Sequence, residues 1–139
     1  MLVQMTYASR VARSLGPLDV KDILAASGRN NKRLGVSGAL CLHSGIFLQV
    51  LEGDRTAVSS LYQHILADDR HKDAVILDFS EITQRRFTRW NMGLLAATED
   101  NRELFLRYSA GAEFDPYGMS ASGLRALFDE VQANVRWIS

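Results

Sequence analysis

The sequence predicts an α+β sandwich with elements in the order β-α-β-β-α-β-β and further helices after them. Three observations predict it. Several short runs are β-rich, with apolar residues on alternating positions. Two segments between those runs carry apolar residues at helical spacing instead. Gly, Pro, Asn and Asp punctuate the boundaries.

Leu2 to Tyr7 alternates, with Val3, Met5 and Tyr7 on one face and Leu2, Gln4 and Thr6 on the other, so the first strand is expected to end at Tyr7. Pro17 suits the first turn of a helix, where its missing N–H costs nothing. That helix is expected to reach about Ser27, with Leu18, Ile23, Leu24 and Ser27 near one stripe and Gly28 as a left-handed stop. Asn30-Asn31 then falls in a polar turn. Val36 to His43 and Ile46 to Glu52 read as a hairpin around Ser44-Gly45. Both faces of the second run are largely apolar, as in a central strand covered on both sides.

Asp54 is a candidate N-cap for a second helix with Val58, Leu61, Tyr62 and Ile65 on its stripe. The polar run Asp68 to Asp73 closes that helix. Ala74 to Ile82 is the fourth strand, Thr83 to Thr88 a basic turn, and Arg89 to Ala97 a fifth strand with Trp90, Met92 and Leu94 on one face. A short helix is expected near Asn101 to Tyr108 and a last one from about Ser120 to Arg136. Leu124, Leu127, Phe128, Val131 and Val135 lie at helical spacing in the latter, and could cover the sheet's free face or meet a second subunit. The element order is that of a ferredoxin-like βαββαββ sandwich over residues 1–97, with additional C-terminal helices over residues 98–139.

Composition bounds the function. Of 139 residues, Lys+Arg number 16 and Asp+Glu 16, so the formal charge is 16 − 16 = 0 and no bulk positive field draws in nucleic acid. No apolar stretch approaches the ~20 residues of a membrane span, and the amino terminus lacks a signal-peptide layout. A soluble, cytoplasmic protein with no membrane association is expected. The single Cys41 sits in an apolar strand and reads as a buried, inert thiol. His43, His64 and His71 show no metal-ligand spacing, Gly35-Val36-Ser37-Gly38 lacks the lysine of a phosphate loop, and there is no G-x-S-x-G elbow.

A few residues do not suit a plain core. Gln49 stands among Phe47, Leu48, Val50 and Leu51, and burying its amide without partners costs roughly 1–3 kcal/mol. It is either a core glutamine bonded to backbone or a ligand contact. Tyr7 poses the same choice. Asn30-Asn31 is explained by turn chemistry, or by two amides aimed at the edge of a heterocycle. Arg70-His71 is a solvated helix end, or a phosphate contact whose guanidinium fork matches phosphate oxygens. Trp90 and Met92 suit a strand's core face. Arg85, Arg86 and Arg89 read as a solvated loop and the start of a strand.

Six separated segments together resemble the BLUF domains, blue-light sensors that use flavin. They are Tyr7-Ala8-Ser9; Ser27-Gly28-Arg29-Asn30-Asn31; Gly35-Val36-Ser37-Gly38-Ala39-Leu40; Phe47-Leu48-Gln49-Val50-Leu51-Glu52-Gly53; Asp69-Arg70-His71; and Arg85 to Met92. The resemblance covers about residues 1–97, is of the short stand-alone type, and implies the same ferredoxin-like fold. It implies FAD as cofactor, with FMN or riboflavin as alternatives, held between the two helices. Ile23 and Ile65 would flank the ring, Asn31 would hold the pyrimidine edge with Asn30 beside it, Ser27 would make a further contact, and Arg70 and His71 would lie near the ribityl-phosphate end. Tyr7 and Gln49 match the photoactive pair, with Trp90 and Met92 on the nearby fifth strand. His64 stands where some members carry Arg.

The resemblance further implies a non-enzyme that signals by contact with an unidentified downstream protein, as a homo-oligomer. Two other classes stand beside it. One is a phosphate-ester or acylphosphate hydrolase with an anion site of Arg70, His71 and Asn31, because fold alone does not fix function. The other is a flavin-binding module without a photocycle.

Overall fold

The computed structural model describes residues 1–12, 17–88, 93–95, 99–134 and 137–138. The strands are β1 (Leu2–Val11), β2 (Ser37–His43), β3 (Ile46–Asp54), β4 (His71–Glu81), β5 (Gly93–Leu95) and β6 (Trp137–Ile138). The helices are α1 (Pro17–Leu34), α2 (Arg55–Leu66), α3 (Glu99–Arg107) and α4 (Ala121–Asn134), with one 3-10 turn at Pro116–Gly118. The sheet order is β4-β1-β3-β2-β5-β6. β3 lies antiparallel between β1 and β2, and β5 runs parallel to β2. This is the ferredoxin-like βαββαββ arrangement, extended at one edge by the short β6.

The hairpin turn dictates much of the geometry. Ser44 and Gly45 both have positive φ (54° and 74°), the two-residue turn whose twist matches its flanking strands. It pairs His43 with Ile46 and, counting back, Leu40 with Gln49. The two strands lie close at Gly38, where an added Cβ would sit 2.0 Å from the Val50 carbonyl oxygen. No larger residue fits there without moving the strand.

β3 is buried along nearly its whole length and serves two cores. Phe47 and Leu51 join Val3, Met5, Tyr7 and Leu40 beneath Ile23 of α1 and Val58 and Leu61 of α2. Leu48 and Val50 face the other way, with Ala8, Ala39 and Cys41, toward Leu104 and Phe105 of α3 and Leu124, Leu127, Phe128 and Val131 of α4. The apolar stripe of the last helix therefore covers the free face of the sheet. Each such side chain contributes roughly 1.5–3 kcal/mol by leaving water. Val135 lies outside the described residues.

Several boundaries differ from expectation. α1 passes through Gly28 and ends at Leu34. The left-handed residue is Gly35 (φ 69°), and the Val36 amide caps back onto the Asn31 carbonyl at 2.8 Å. Gly28 in a helix interior costs about 1 kcal/mol relative to Ala, which the longer helix absorbs. Asn30 and Asn31 are thus helical, not in a turn. Leu18 is 76% exposed and off the buried stripe, and the Leu24 side chain lies outside the described ones.

β1 runs on to Val11, so Tyr7 is mid-strand. The small, fully buried Ala8 and Ser9 allow the continuation, and Arg10 and Val11 pair with Lys72 and His71. β4 accordingly starts at His71, and the polar run 68–73 is half loop and half strand rather than a helix end. α2 starts where expected, with the Asp54 side chain accepting the Thr56 amide at 3.2 Å. Of the expected fifth strand only Gly93–Leu95 is described. Arg89, Trp90 and Met92 lie outside the described residues.

Candidate functional site

The β1–β3 register places Tyr7 directly opposite Gln49. Odd-numbered residues of both strands face the α1/α2 layer, so these two polar side chains meet beneath the helices. The Tyr7 hydroxyl donates a short hydrogen bond to Gln49 Oε1. Both residues are buried, at 1% and 3% exposure, which answers the question posed by a glutamine in an apolar strand. The β1–β4 register slips between Thr6 and Tyr7 and again between Ala8 and Arg10. Such irregularities re-aim side chains at functional sites.

Burial drives the Tyr7 phenol well above the ordinary tyrosine range, and the neighbouring Tyr62 and the Asp68 carboxylate push it the same way. Tyr62 packs on it with ring centroids 5.3 Å apart at 58°. A proton therefore stays on Tyr7 in the ground state, available to Gln49.

Above this pair opens a cleft of about 620 Å³, counting the open solvent at its mouth. Ile23, Ser27, Asn30 and Asn31 line it from α1, and His64 and Ile65 from α2. Tyr7, Leu40 and Gln49 line it from the sheet, and Asp68, Arg70 and His71 from the α2–β4 junction. The sequence thus brings together nine of its candidate residues: Tyr7, Ile23, Ser27, Asn30, Asn31, Gln49, Ile65, Arg70 and His71. Their helical and strand settings differ in part from expectation, yet they share one cavity.

Asn31 is fully buried and held within the protein, and among the described residues its Oδ1 accepts no hydrogen bond. His71 Nδ1 lies 2.8 Å from Ser9 Oγ, and its ring is 4.4 Å from that of Phe47. Burial lowers its pKa, so the imidazole is neutral near pH 7. Arg70 differs from expectation. Its Nε lies 2.9 and 3.1 Å from the two Asp68 oxygens and its Nη2 2.6 Å from Oδ2, a fork already filled by a carboxylate. Held by Arg70, the Asp68 carboxyl falls to about 2.

Sequence reasoning missed Asp68 as a neighbour of the site and Tyr62 as a ring against Tyr7. It also missed Leu40, although the two-residue turn carried the signal by fixing the Leu40–Gln49 register. The basic loop was misread too. Arg85 Nη1 donates to Ser37 Oγ (2.9 Å) and to the Glu52 carbonyl (3.0 Å), so it is a tie between elements rather than a solvated charge. Cys41 is buried, with its thiol pushed up to about 12 by burial, in keeping with an inert side chain.

The donor set fits an isoalloxazine. A flat heteroaromatic ring with a row of donors and acceptors on one edge requires apolar walls and carboxamides, which present both functions. Ile23 and Ile65 supply the first from two helices, and Asn31 and Gln49 the second. Among the described residues no group of three His, Cys, Asp or Glu side chains could hold a metal, and no helix is long and apolar enough to cross a membrane.

Comparison with known proteins agrees with this chemistry. The family model for BLUF, "Sensors of blue-light using FAD", matches residues 2–93. The chain belongs to the BLUF family. Among curated relatives, the photoactivated adenylate cyclase subunit beta of Euglena longa is 35% identical over 100 residues, 71% of this chain and 11% of that protein. The subunit alpha of Euglena gracilis is 35% identical over 99 residues, 71% of this chain and 10% of its own length. The chain spans about a tenth of the length of these relatives. The BlsA structure in its photo-activated state superposes with a TM-score of 0.88 at 27% identity, over 98% of each chain. The dark-state structure of BlrB, a BLUF protein, gives 0.64 at 33% identity, over 94% of this chain and 81% of BlrB. This BLUF domain is a blue-light sensor whose family flavin is FAD. The alternative of a phosphate-ester or acylphosphate hydrolase is set aside, and its anion centre is also compromised by the Asp68 carboxylate on Arg70.

Proposed function

We propose that FAD lies in the cleft between α1, α2 and the sheet, and that the Tyr7–Gln49 pair converts its excitation into a change of hydrogen bonding. The observation that carries this reading is the direct bond from the Tyr7 hydroxyl to Gln49 Oε1 at the floor of the cleft. Ile23 and Ile65 bracket the ring, Asn31 and Asn30 hold its polar edge, and Ser27, Arg70 and His71 make outer contacts. Trp90 and Met92 belong to the same proposal as photoactive neighbours.

When bound, the flavin supplies a light-driven one-electron oxidant and a carbonyl acceptor. Tyr7 is suited to answer it, because an oxidised phenol is strongly acidic and sheds its electron and proton together. The proton has a defined receiver in Gln49 Oε1, and the electron goes to the oxidant. Both then return to Tyr7, so the phenol regains its starting oxidation and protonation state before the rearranged amide settles. Gln49, having taken and lost a proton, settles as a rotated or tautomeric amide that presents a donor where it had an acceptor. A stronger hydrogen bond to the flavin carbonyl moves absorption to the red. No covalent bond to Cys41 is involved.

Output in this reading passes by contact to a second protein, with no turnover by the chain itself. The domain works in the cytoplasm, as a homo-oligomer, with residues 98–139 carrying the signal. The α4 stripe is not that surface, because Leu124, Leu127 and Phe128 are at most 1% exposed against the sheet. The exposed face of α4, with Arg125 and Asp129, is the part of the helix available to a partner.

The test is the visible spectrum of the purified full chain loaded with FAD, in the dark and after blue light. A small, reversible red shift is expected, and Gln49→Ala should abolish it while keeping the flavin. A yellow protein with no shift would make it a flavin module without a photocycle. A normal shift in Gln49→Ala would overturn the role assigned to the amide.

A further inference from the structure

The Tyr7–Gln49 pair has a counterpart on the other face of the same two strands. Three positions along the ladder, Gln4 of β1 stands opposite Glu52 of β3. An odd offset reverses the face, so this second pair points into the α4 layer, about 10 Å along the strand from the first. Glu52 is fully buried. A buried carboxyl is expensive unless answered, and here it is answered fully. Gln4 Nε2 donates to it at 2.8 Å, the Arg86 amide to its two oxygens at 2.9 and 3.0 Å, and the Phe87 amide at 2.7 Å.

Residues 86 and 87 are in turn fastened to α4. Gln132 Nε2 donates to the Arg86 carbonyl at 2.6 Å, and the Arg86 guanidinium meets Asp129 at 3.0 Å. The fully buried Phe87 ring stands edge-on to Phe128, 6.1 Å between centroids. β3 thus holds a photoactive amide on one face and, through one carboxyl, a grip on α4 at the other.

We propose that Glu52 is a positioning residue for output: it links displacement of the β1–β3 pair at Tyr7–Gln49 to α4 through the 86–87 backbone. The inference rests on the photosensor reading above. β3 is bonded on both sides, so a change of separation or twist at Gln49 is shared along the ladder and reaches Glu52. Three hydrogen bonds then impose it on residues 86–87, and the Gln132 bond to the Arg86 carbonyl passes it to α4. This route is additional to any carried by the segment around Trp90 and Met92.

The test is hydrogen exchange of the full chain with FAD bound, in light and in dark, on peptides from residues 121–134, with the visible spectrum recorded on the same sample. In the unaltered protein a red shift accompanies a light-dependent change in α4 exchange. Glu52→Gln keeps the red shift and loses the α4 change. Gln132→Ala, a substitution on the exposed side of the link, does the same and decides the matter alone if Glu52→Gln does not fold. Arg125→Ala breaks a different α4 contact, the paired bonds to Asp78 at 2.9 Å, and leaves the light-dependent change in place. A full α4 response in folded Glu52→Gln or in Gln132→Ala overturns the proposal, as does loss of that response in Arg125→Ala. A red-shifting parent protein with no α4 response overturns it too. Absence of any red shift in the parent refutes the photosensor reading itself, and the inference with it.

Discussion

Replacing Tyr7 by Phe removes one oxygen and leaves the ring. The Gln49 Oε1 atom loses its donor in a position 3% exposed, where water has little access. Taking one donor from a buried acceptor costs roughly 1–3 kcal/mol. For a domain of this size that corresponds to a fall in Tm of about 3–10 °C. Flavin content should stay near that of the parent, because the ring of residue 7 still packs against Tyr62 and fills the floor of the cleft. The light-induced red shift should vanish, because no phenol remains to give an electron and a proton. Circular dichroism melting and a light-minus-dark difference spectrum on one sample measure both effects. A normal reversible shift with Phe at position 7 would refute the role of the phenol.

The same substitution has a pH signature. The folded phenol titrates above the unfolded value of 10.0, so its stabilising contribution is complete below pH 10 and is lost as the pH rises beyond that, where the unfolded chain ionises first. The parent should therefore lose stability above pH 10 more steeply than Tyr7→Phe.

Asn31→Ala should weaken flavin affinity about tenfold, the scale of one hydrogen bond, and lower the flavin-to-protein ratio after purification. Asp68 is depressed from 3.8 to about 2 by Arg70, so its contribution is present above pH 4 and lost as pH falls through about 2. Urea midpoints should drop over that window in the parent and less so in Asp68→Asn. Gly38→Ala would drive a Cβ to 2.0 Å from the Val50 carbonyl oxygen and should cost about 3 kcal/mol or more, seen as a lower melting temperature.

Periodicity was enough for the layer structure because each strand's faces differ in polarity or are both apolar, and both patterns survive folding. Val3, Met5 and Tyr7 share a face as their alternation implies, and β3 is central as its two apolar faces require. Element ends were harder to read. Gly28 and Gly35 are both permitted stops, and only the backbone conformation at 35, with Val36 capping onto Asn31, distinguishes them. Tyr7 and Gln49 were recognisable as out of place, but their contact depends on a β1–β3 register set by non-local pairing. Arg70 and Arg85 show the limit most plainly. A guanidinium in a polar run has the same letters whether it faces water, a ligand, or a carboxylate two residues away.

The α4 stripe has a practical corollary. The family-matched segment ends at residue 93, yet Leu48, Val50 and Phe87 are sealed by Leu124, Leu127 and Phe128 from beyond it. A sensor module trimmed to its family-matched portion would leave a broad greasy plane naked and prone to clump. Grafting this light switch onto another effector therefore requires either carrying the last helix along or engineering a replacement lid of equal breadth.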